Sequence, residues 1–372
     1  MEDNKEKLIH LFNLSYKDTK RSTQTDKWKN YGEDNLIPQH LLDLIYNSPT
    51  LGAIINKKSY YTAGEDIIIE DENAKKWAES LDNGNGIYSL VKKMARDLYS
   101  FGGITLQVGW KQNQNKIAEI GHFDFSTVRK GVSKLTRDEI KKGKTPEKLC
   151  FISLDWKCPS GEYKPVTLSQ YNGEWNPEFS ECYYYQNYRQ GGDVIYPRPE
   201  WWNSISAVET EINLIKFKKS ITENSFVPNG MLLLPGKVPS DVYDEIEKSL
   251  KSMSGPDDAG KMMVIGIDGE KRAEFISFNN NPFSRSVNEW LTEARQDIMM
   301  SHNLTSPTLL GLPGGASLGG DGGTIVEAKK EFFSNTIKPN QETILHILKQ
   351  LFARAGYSTE ITIKQNFIEI TQ

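Results

Sequence analysis

The chain has 372 residues, which is enough for two or three packed domains of about 100 to 200 residues each. Hydrophobic residues make up 37% of the sequence and charged residues 25%, and these proportions exclude a fibrous or wholly disordered protein. The net charge of −4 argues against a protein that holds nucleic acid mainly by its phosphates, because such proteins usually carry an excess of Lys and Arg.

The first 200 residues begin with a polar segment and continue as a mixed α+β pattern. Residues 1–30 offer little apolar surface for burial, which predicts a mobile or partner-dependent N-terminal arm. Ser48 and Pro49 are typical of a helix start, and Gly64 of its end. Apolar periodicity then predicts a strand at Ile67 to Ile69, a helix around Ala74 to Leu81, a helix from Ile87 to Phe101 and a strand from Ile104 to Trp110.

From about Phe123 to Pro199 the chain is rich in Tyr, Val, Thr and Trp, and turn sequences recur, which predicts several short strands and hairpins. One charged stretch, Thr136 to Lys148, predicts a solvated helix or loop among these strands.

Two long one-sided helices flank a second β-rich stretch. The first is predicted from Trp201 to about Asn224, with Glu211 among the residues on its polar faces. The second is predicted from Phe283 through Ile298 on a stripe that includes Trp290. Between them we expect a strand at 231–234, a helix capped by Ser240, and a hairpin formed by 262–267 and 273–278. The helices should form an antiparallel pair whose remaining apolar surface is covered by neighbouring subunits.

The C-terminal part opens with a loop, because residues 311–323 contain too many glycines for regular structure. Thr324 and Glu327 then match a capping box, which predicts a helix start. That helix should bend or break at Pro339 and resume as far as Gly356, and a strand from Glu360 to Ile370 should follow.

Membrane and disulfide signals are lacking. No apolar run approaches the ~20 residues that a bilayer requires, and residues 1–4 lack the basic start of a secretory signal. We therefore expect no membrane partner, and a protein that stays in the cytoplasm where it is made. Cys150, Cys158 and Cys182 are odd in number and lack C-x-x-C spacing, which predicts reduced thiols.

The sequence contains few matches to catalytic motifs. The sequence has neither a G-x-x-x-x-G-K-[ST] phosphate loop nor H-E-x-x-H, and its five histidines lack ligand spacing, so we expect them to be structural. Gly315 to Gly319 match the G-x-S-x-G elbow around Ser317. The elbow requires a strand before the serine and a helix after it, whereas this serine lies in a glycine loop. We predict no enzyme, no cofactor and no metal.

The rival enzyme class is a metal-dependent nuclease. Glu70, Asp71, Glu72 and Asp97 are acidic and lie near predicted helix or strand ends, where carboxylates could hold a metal ion. Runs of adjacent carboxylates are more often solvated. We keep this class as the alternative.

Four stretches, taken in order and spacing, resemble the bacteriophage portal protein family over nearly everything after residue 30. They are Asn47 to Leu51 with the helix that ends at Gly64; Leu98 to Gly103 with the strand that follows; Tyr196 to Pro199 with the long helix and, after it, Asn229-Gly230 and Leu234 to Gly236; and Ser306 to Gly311 before the glycine loop.

This resemblance implies a closed ring of subunits, typically twelve, each with an α+β portal-type fold. In this sequence, residues 1–30 would be the arm and residues 31–200 a mixed α/β wing. Residues 201–226 and 282–303 would be two long stem helices, and residues 227–281 between them a small β-rich clip. Residues 304–323 would form a tunnel loop, and residues 324–372 a C-terminal helix and strand that return to the wing and leave little crown.

The resemblance also implies a function and partners. The ring would occupy one vertex of the capsid as a non-enzymatic conduit for packaging and ejecting double-stranded DNA. Its clip would dock the large terminase and later a head-completion adaptor, and its wing would contact the major capsid and scaffolding proteins. We expect it in the host cytoplasm during assembly and then in the virion. Another ring-forming phage head or tail protein is a further alternative.

Three sets of candidate site residues follow from the resemblance. The DNA-facing candidates in the tunnel loop are Leu310, Gly314, Gly315, Ser317 and Asp321. The charged stem face comprises Lys216, Lys218, Lys219, Arg285 and Arg295, and the clip candidates for partner docking are Asp244, Glu245 and Glu247. Because no Lys or Arg occurs from Leu304 to Glu327, we expect the loop to contact DNA through its steric bulk and its backbone, and not through ion pairs with phosphates.

Overall fold

The structure is a computed structural model that describes residues 27–112, 114–159, 164–175, 180–191, 195–224, 230–235, 263–267, 274–277, 282–304, 309 and 329–365. It is a mixed helix and sheet (α+β) protein. The chain divides into two compact units, the first formed by Met1–Ser206 with Ile298–Gln372 and the second by Ala207–Asp297.

Helices and strands are numbered here in chain order. The helices are α1 (Ile37–Asn47), α2 (Pro49–Ala63), α3 (Glu72–Gly84), α4 (Gly86–Phe101), α5 (Arg137–Lys141), α6 (Ile205–Asn224), α7 (Pro282–Ser301) and α8 (Lys338–Ala355). The strands are β1 (Asp66–Ile69), β2 (Gly103–Trp110), β3 (Ile117–Phe123), β4 (Val128–Val132), β5 (Lys148–Ile152), β6 (Val166–Gln170), β7 (Ser180–Gln186), β8 (Gly230–Pro235), β9 (Met263–Ile267), β10 (Glu274–Ser277) and β11 (Ile361–Lys364).

Local capping sets the helix boundaries of the first unit. The Ser48 side chain accepts a hydrogen bond from the Leu51 backbone N–H at 3.1 Å and so starts α2 as predicted. In the same way Asp71 accepts from Ala74 at 2.7 Å at the start of α3. The predicted elements from residue 48 to residue 110 are confirmed. The charged stretch after Thr136 contains the short helix α5, whose capping box satisfies its first N–H groups.

A six-stranded sheet in the order β3-β2-β7-β6-β5-β4 forms the centre of the first unit. All its pairs are antiparallel except β6 with β7. Residues 27–30, the last four of the predicted arm, lie beside the edge strand β4. Trp28 forms an antiparallel bridge with Gly131, and its ring packs edge-on against Trp156.

The main core lies where α4 and α8 cover β2 and β3. α4 buries Leu90, Val91 and Met94 completely, and α8 contributes Leu348 and Phe352. Full burial of side chains of this size stabilises a fold by about 1.5–3 kcal/mol each. The C-terminal helix is therefore part of the same core as the N-terminal half of the chain.

The C-terminal strand pairs with the first strand. β11 runs antiparallel to β1, with Ile363 opposite Ile67 and Ile361 opposite Ile69. A π-helical turn, Phe333–Ile337, precedes α8, and Pro339 lies in the first turn of α8. Because proline has no backbone N–H to donate, the helical hydrogen bonding changes where the sequence predicted a break.

In the second unit, α6 and α7 flank a three-stranded sheet in the order β10-β8-β9. The predicted hairpin of residues 262–267 and 273–278 is wrong. β8 lies between these strands, parallel to β9 with Leu232 opposite Val264, and antiparallel to β10 with Leu232 opposite Phe275. A parallel pair needs a long crossover connection, and residues 236–262 supply one.

Several predicted features lie outside the described residues. These are the arm up to residue 26, the helix capped by Ser240, most of the glycine loop, and the capping box of Thr324 and Glu327. Among the described helices, none combines the length and apolarity that crossing a bilayer would require.

Candidate functional site: the paired helices

Helices α6 and α7 lie antiparallel with a constant register. In the second unit, Arg295 Nε donates to Glu211 Oε1 at 3.0 Å, and Lys218 Nζ donates to Asn288 Oδ1 at 3.3 Å. Moving seven residues forward along α6 thus corresponds to moving seven residues back along α7. The antiparallel pair predicted from the sequence is present.

The predicted apolar stripes are largely buried. Val208 and Ile212 of α6 are buried, as are Val287, Leu291 and Ala294 of α7. Trp290, predicted as part of the α7 stripe, is 45% exposed instead. It is rotated by about 100° from its neighbour Leu291, which is the rotation per residue of an α-helix, and so lies beside the buried stripe.

Burial of Glu211 is the feature of this pair that the sequence pattern missed. It was assigned to a polar face of α6, but its side chain is fully buried and paired with Arg295, which is 45% exposed. An uncompensated charge in this position would be expensive, so Arg295 acts first as the structural partner of Glu211. A single acidic residue one position before Ile212 in the helix carried no sequence signal for burial.

The other stem candidates are distributed differently. Lys216 and Lys219 are exposed, and Lys218 is exposed while bonded to Asn288. The side chain of Arg285 lies outside the described residues. Of the five predicted cations, two therefore link α6 to α7 and two face solvent near the distal end of α6.

A buried polar network occupies the first unit next to the start of α6. Lys58 is fully buried; its Nζ donates to Glu200 Oε2 at 2.8 Å and lies 4.6 Å from the centre of the Tyr99 ring. Burial lowers the pKa of Lys58, and the nearby Glu200 opposes that shift. The Tyr99 hydroxyl also contacts Thr62 and Asn340. The network connects α2, α4 and the first turn of α8 to the segment that leads into α6.

His302 follows α7 and belongs to the same region of the first unit. Its side chain is fully buried, and neither ring nitrogen has a hydrogen-bond partner in the described part of the chain. Burial lowers the pKa of His302 well below its usual value, and the charge of Lys58 lowers it further. A neutral, packed imidazole agrees with the structural role predicted for the histidines.

The carboxylates considered for a nuclease do not converge. Asp71 caps α3, and Glu70 and Glu72 are exposed beside it. Asp97 is buried and accepts from His122 Nε2 at 2.8 Å and from the Phe125 N–H at 3.1 Å. Within the described ranges, no cluster of three His, Cys, Asp or Glu side chains is arranged to hold a metal ion.

The Asp97–His122 pair was not predicted, because the two residues are 25 positions apart and neither belongs to a motif. Burial raises the pKa of Asp97 to about 6, partly offset by the hydrogen bond and charge of His122. The pair joins α4 to the end of β3. Asp97 also accepts a hydrogen bond from the backbone N–H of Phe125, where the turn after β3 begins, so the pair has a structural role.

All three cysteines are free, with Cys150 and Cys182 buried and Cys158 exposed. The neighbouring Cys150 and burial raise the pKa of the Cys182 thiol. The raised pKa keeps the buried Cys182 thiol protonated at neutral pH, and the free state of all three cysteines agrees with the reduced thiols that their spacing predicted.

The predicted loop and clip residues fall outside the described part of the chain. They are Leu310, Gly314, Gly315, Ser317 and Asp321 in the loop, and Asp244, Glu245 and Glu247 in the clip. Of the loop region, Leu304 and Leu309 are described, and both are buried.

Comparison with known proteins finds similarity in fold alone. No family model matches the sequence, and no curated protein matches it. Among solved structures, a chain of the virion of a native gene transfer agent (GTA) particle matches with a TM-score of 0.58 and 14% identity, covering 90% of this chain and 86% of that chain. A chain from the neck of the native GTA particle computed with C12 symmetry gives a TM-score of 0.59 at 14% identity. A chain from the neck of the empty particle computed with C6 symmetry gives 0.60 at 13% identity, and each neck chain is covered to 85%. This chain therefore shares its fold, over nine-tenths of its length, with chains of the GTA particle.

Proposed function

We propose that this chain is a portal subunit, which closes into a ring at one capsid vertex through which double-stranded DNA is packaged and ejected. The observation that carries the proposal is the fold similarity over 90% of the chain to neck components whose reconstructions used C12 and C6 symmetry. Rotational symmetry of this kind is that of a ring of identical subunits.

The arrangement of the second unit supports the proposal. Two 20-residue helices run antiparallel and enclose a small sheet in sequence, as expected for two stem helices and a clip. At 1.5 Å per residue each helix is about 30 Å long, which is long enough to form the wall of a channel. The wing is then the six-stranded sheet with its covering helices.

The proposed ring conducts DNA and does no chemistry on it. With a net charge of −4 per subunit, it lacks the basic excess that would trap a polyanion by its phosphates. ATP hydrolysis belongs to the large terminase that docks on the clip, and a head-completion adaptor replaces the terminase after packaging. The wing contacts the major capsid and scaffolding proteins, so that the mature protein resides in the virion.

Electron microscopy of the purified full-length protein tests the ring directly. Negatively stained particles should show a ring with an axial hole, and native mass spectrometry should give one closed species, with twelve subunits as the expected number. A protein that remains monomeric over the whole accessible concentration range, with no axial opening in any assembly, would contradict the proposal.

A separate assay tests the absence of nuclease activity. Supercoiled plasmid incubated with the ring and Mg²⁺ should stay intact. Cleavage that Asp71→Asn or Glu72→Gln abolishes would instead assign the chain to the nuclease class.

A further inference from the structure

The first unit contains a surface cavity of about 450 Å³ at the end of β6 and the starts of β5 and β7. The sheet register brings these three places together, because Ser169 of β6 lies opposite Leu149 on one side and Glu181 on the other. The volume falls within the range of small-ligand sites, ~300–1,000 Å³. The residues that line this wing cavity include Glu147, Lys148, Tyr171, Glu174, Trp175 and Glu181.

The wing cavity has a negative formal charge. Three carboxylates, those of Glu147, Glu174 and Glu181, line it against the single ammonium of Lys148, which is a formal balance of −2. Glu181 is buried at the sheet end of the cavity, and its Oε2 accepts from Trp110 Nε1 at 2.8 Å. Among the described residues, these carboxylates do not form a group suited to a metal ion. The charge therefore favours an organic cation as the ligand.

Two aromatic side chains supply the apolar part of the same lining. Trp175 is 40% exposed, and Tyr171 is half-buried. The Tyr171 ring stacks on Trp110 with 6.0 Å between ring centres, and its centre lies 5.5 Å from that of Tyr183. An aromatic face attracts a cation through its quadrupole, in addition to the attraction of nearby carboxylates. This combination distinguishes the cavity from a solvated acidic surface.

Hydrogen bonds within the chain hold the walls of the cavity in place. Glu147 Oε1 accepts from Ser169 Oγ at 2.5 Å. The backbone N–H of Glu174 donates to Asn172 Oδ1 at 2.8 Å, which fixes the turn that carries both Glu174 and Trp175. Because these walls are ordered in the free protein, a ligand loses little free energy in ordering them.

We propose that the wing cavity receives an arginine side chain of a protein that docks on the wing. The guanidinium donates hydrogen bonds to the carboxylates of Glu147 and Glu174, and the rest of the side chain lies against Trp175. The inference rests on the proposed function, because that function supplies the docking partner. It adds the chemistry by which the wing recognises one.

Arginine fits this lining better than lysine or a free polyamine. The guanidinium is planar and has five N–H donors, so it can bond to two carboxylates and stack on an indole together. An ammonium is a compact, strongly hydrated point charge and cannot do both. The exposed Trp175 favours a protein over a free cation as the source, since Trp and Arg are the residues that contribute most at the centres of protein interfaces.

Saturation-transfer difference NMR on the full-length assembled protein tests the site, because this method detects weak binding of small ligands to large particles. The probe is Nα-acetyl-arginine amide. The comparison ligands are the corresponding lysine amide, spermidine, and the citrulline amide, in which a neutral urea replaces the guanidinium. We expect saturable binding of the arginine ligand, binding of lysine amide and spermidine weaker by about threefold or more, and no saturable binding of the citrulline ligand up to about 10 mM.

Substitutions in the 172–175 turn locate the binding. Glu174→Gln should weaken arginine binding by about tenfold, because it removes one charge-assisted acceptor. Trp175→Leu should weaken it by about threefold to fivefold through loss of the aromatic face. Both residues are exposed in a turn, so the fold should persist, which far-UV circular dichroism checks. The matched control is Glu79→Gln, the same change at an exposed carboxylate of α3 outside the cavity, and it should bind arginine like the wild type.

Several outcomes would overturn the site. They are no saturable binding of the arginine ligand, lysine amide or spermidine bound as tightly as arginine, and equal losses in Glu174→Gln and Glu79→Gln. If Glu174→Gln prevented ring formation, the occupant would be a neighbouring subunit, and the proposed docking partner would be wrong.

Micrographs of the same samples separate this site from the ring. Rings that do not bind arginine overturn the site and leave the portal proposal standing. Arginine binding at Glu174 by a protein that forms no rings supports the site and overturns the portal proposal.

Discussion

At the scale of single residues, a buried arginine that no sequence pattern indicated forms an extensive set of hydrogen bonds. Arg129 is fully buried, and its guanidinium donates to the Asn35 side chain and backbone oxygens, both at 2.7 Å, and to the Ser126 carbonyl at 2.8 Å. Its planar group lies 4.8 Å from the centre of the Trp156 ring. Burial lowers the pKa of Arg129 to about 10. It fastens the N-terminal segment to the sheet.

We therefore expect Arg129→Lys to lower the free energy of unfolding by about 2–4 kcal/mol, because an ammonium cannot reproduce the forked hydrogen bonds and leaves buried oxygens unsatisfied. Urea denaturation followed by far-UV circular dichroism measures this change. Arg137→Lys, the same substitution at an exposed position of α5, should change the value by less than about 0.5 kcal/mol. Equal effects at the two positions would show that the buried network contributes little.

Asp97 provides a pH-dependent prediction. Its pKa is raised from 3.8 to about 6 in the folded protein, so its contribution to stability is fully present below pH 4 and is lost as the pH rises through 6. Relative to Asp97→Asn, the wild type should lose up to about 3 kcal/mol of unfolding free energy between pH 4 and pH 7.5. Leu90→Val, a core change without a titratable group, should differ from the wild type by the same amount at every pH. A flat difference for Asp97→Asn would contradict the raised pKa.

At the scale of elements, the α6–α7 pair depends on the buried Glu211. Arg295→Met removes the cation that pairs with this buried carboxylate, and we expect a loss of about 2–3 kcal/mol, reduced because Arg295 is partly exposed. Glu211→Leu with Arg295→Met should recover most of the loss, since replacing both charges by apolar groups removes the desolvation cost. Lys218→Met, at the exposed bond, should cost under about 0.5 kcal/mol. Thermal unfolding of the wild type and the three variants checks the order of stabilities, and failure of the double variant to recover would contradict it.

The helices could be predicted from the sequence, whereas part of the strand pairing could not. Helices with capping residues and apolar periodicity, such as α2 and α4, were predicted to within a few residues because their signals are local. The position of β8 between β9 and β10 was not predicted. An Asp-Gly pair between two apolar runs favours a hairpin locally, whereas the central position of β8 is decided by pairing between distant parts of the chain. Burial of Glu211 and the Asp97–His122 pair are also long-range, and no periodicity encodes them.

At the scale of the whole molecule, the proposed ring must surround DNA without binding it tightly. A net charge of −4 per subunit makes tight nonspecific binding unfavourable at physiological salt, because few phosphates would be neutralised and few counterions released. Fluorescence anisotropy of a labelled 30-base-pair duplex should therefore show no saturable binding to the assembled ring at about 0.15 M salt, and little dependence of the signal on salt. A ring of Glu70→Lys with Glu72→Lys, which reverses two exposed charges of each wing, serves as the positive comparison, and the duplex should bind it more tightly with a steeper salt dependence. If the wild-type ring bound the duplex with micromolar affinity that weakened strongly with added salt, the channel would bind DNA through its phosphates. That result would contradict a conduit through which DNA slides.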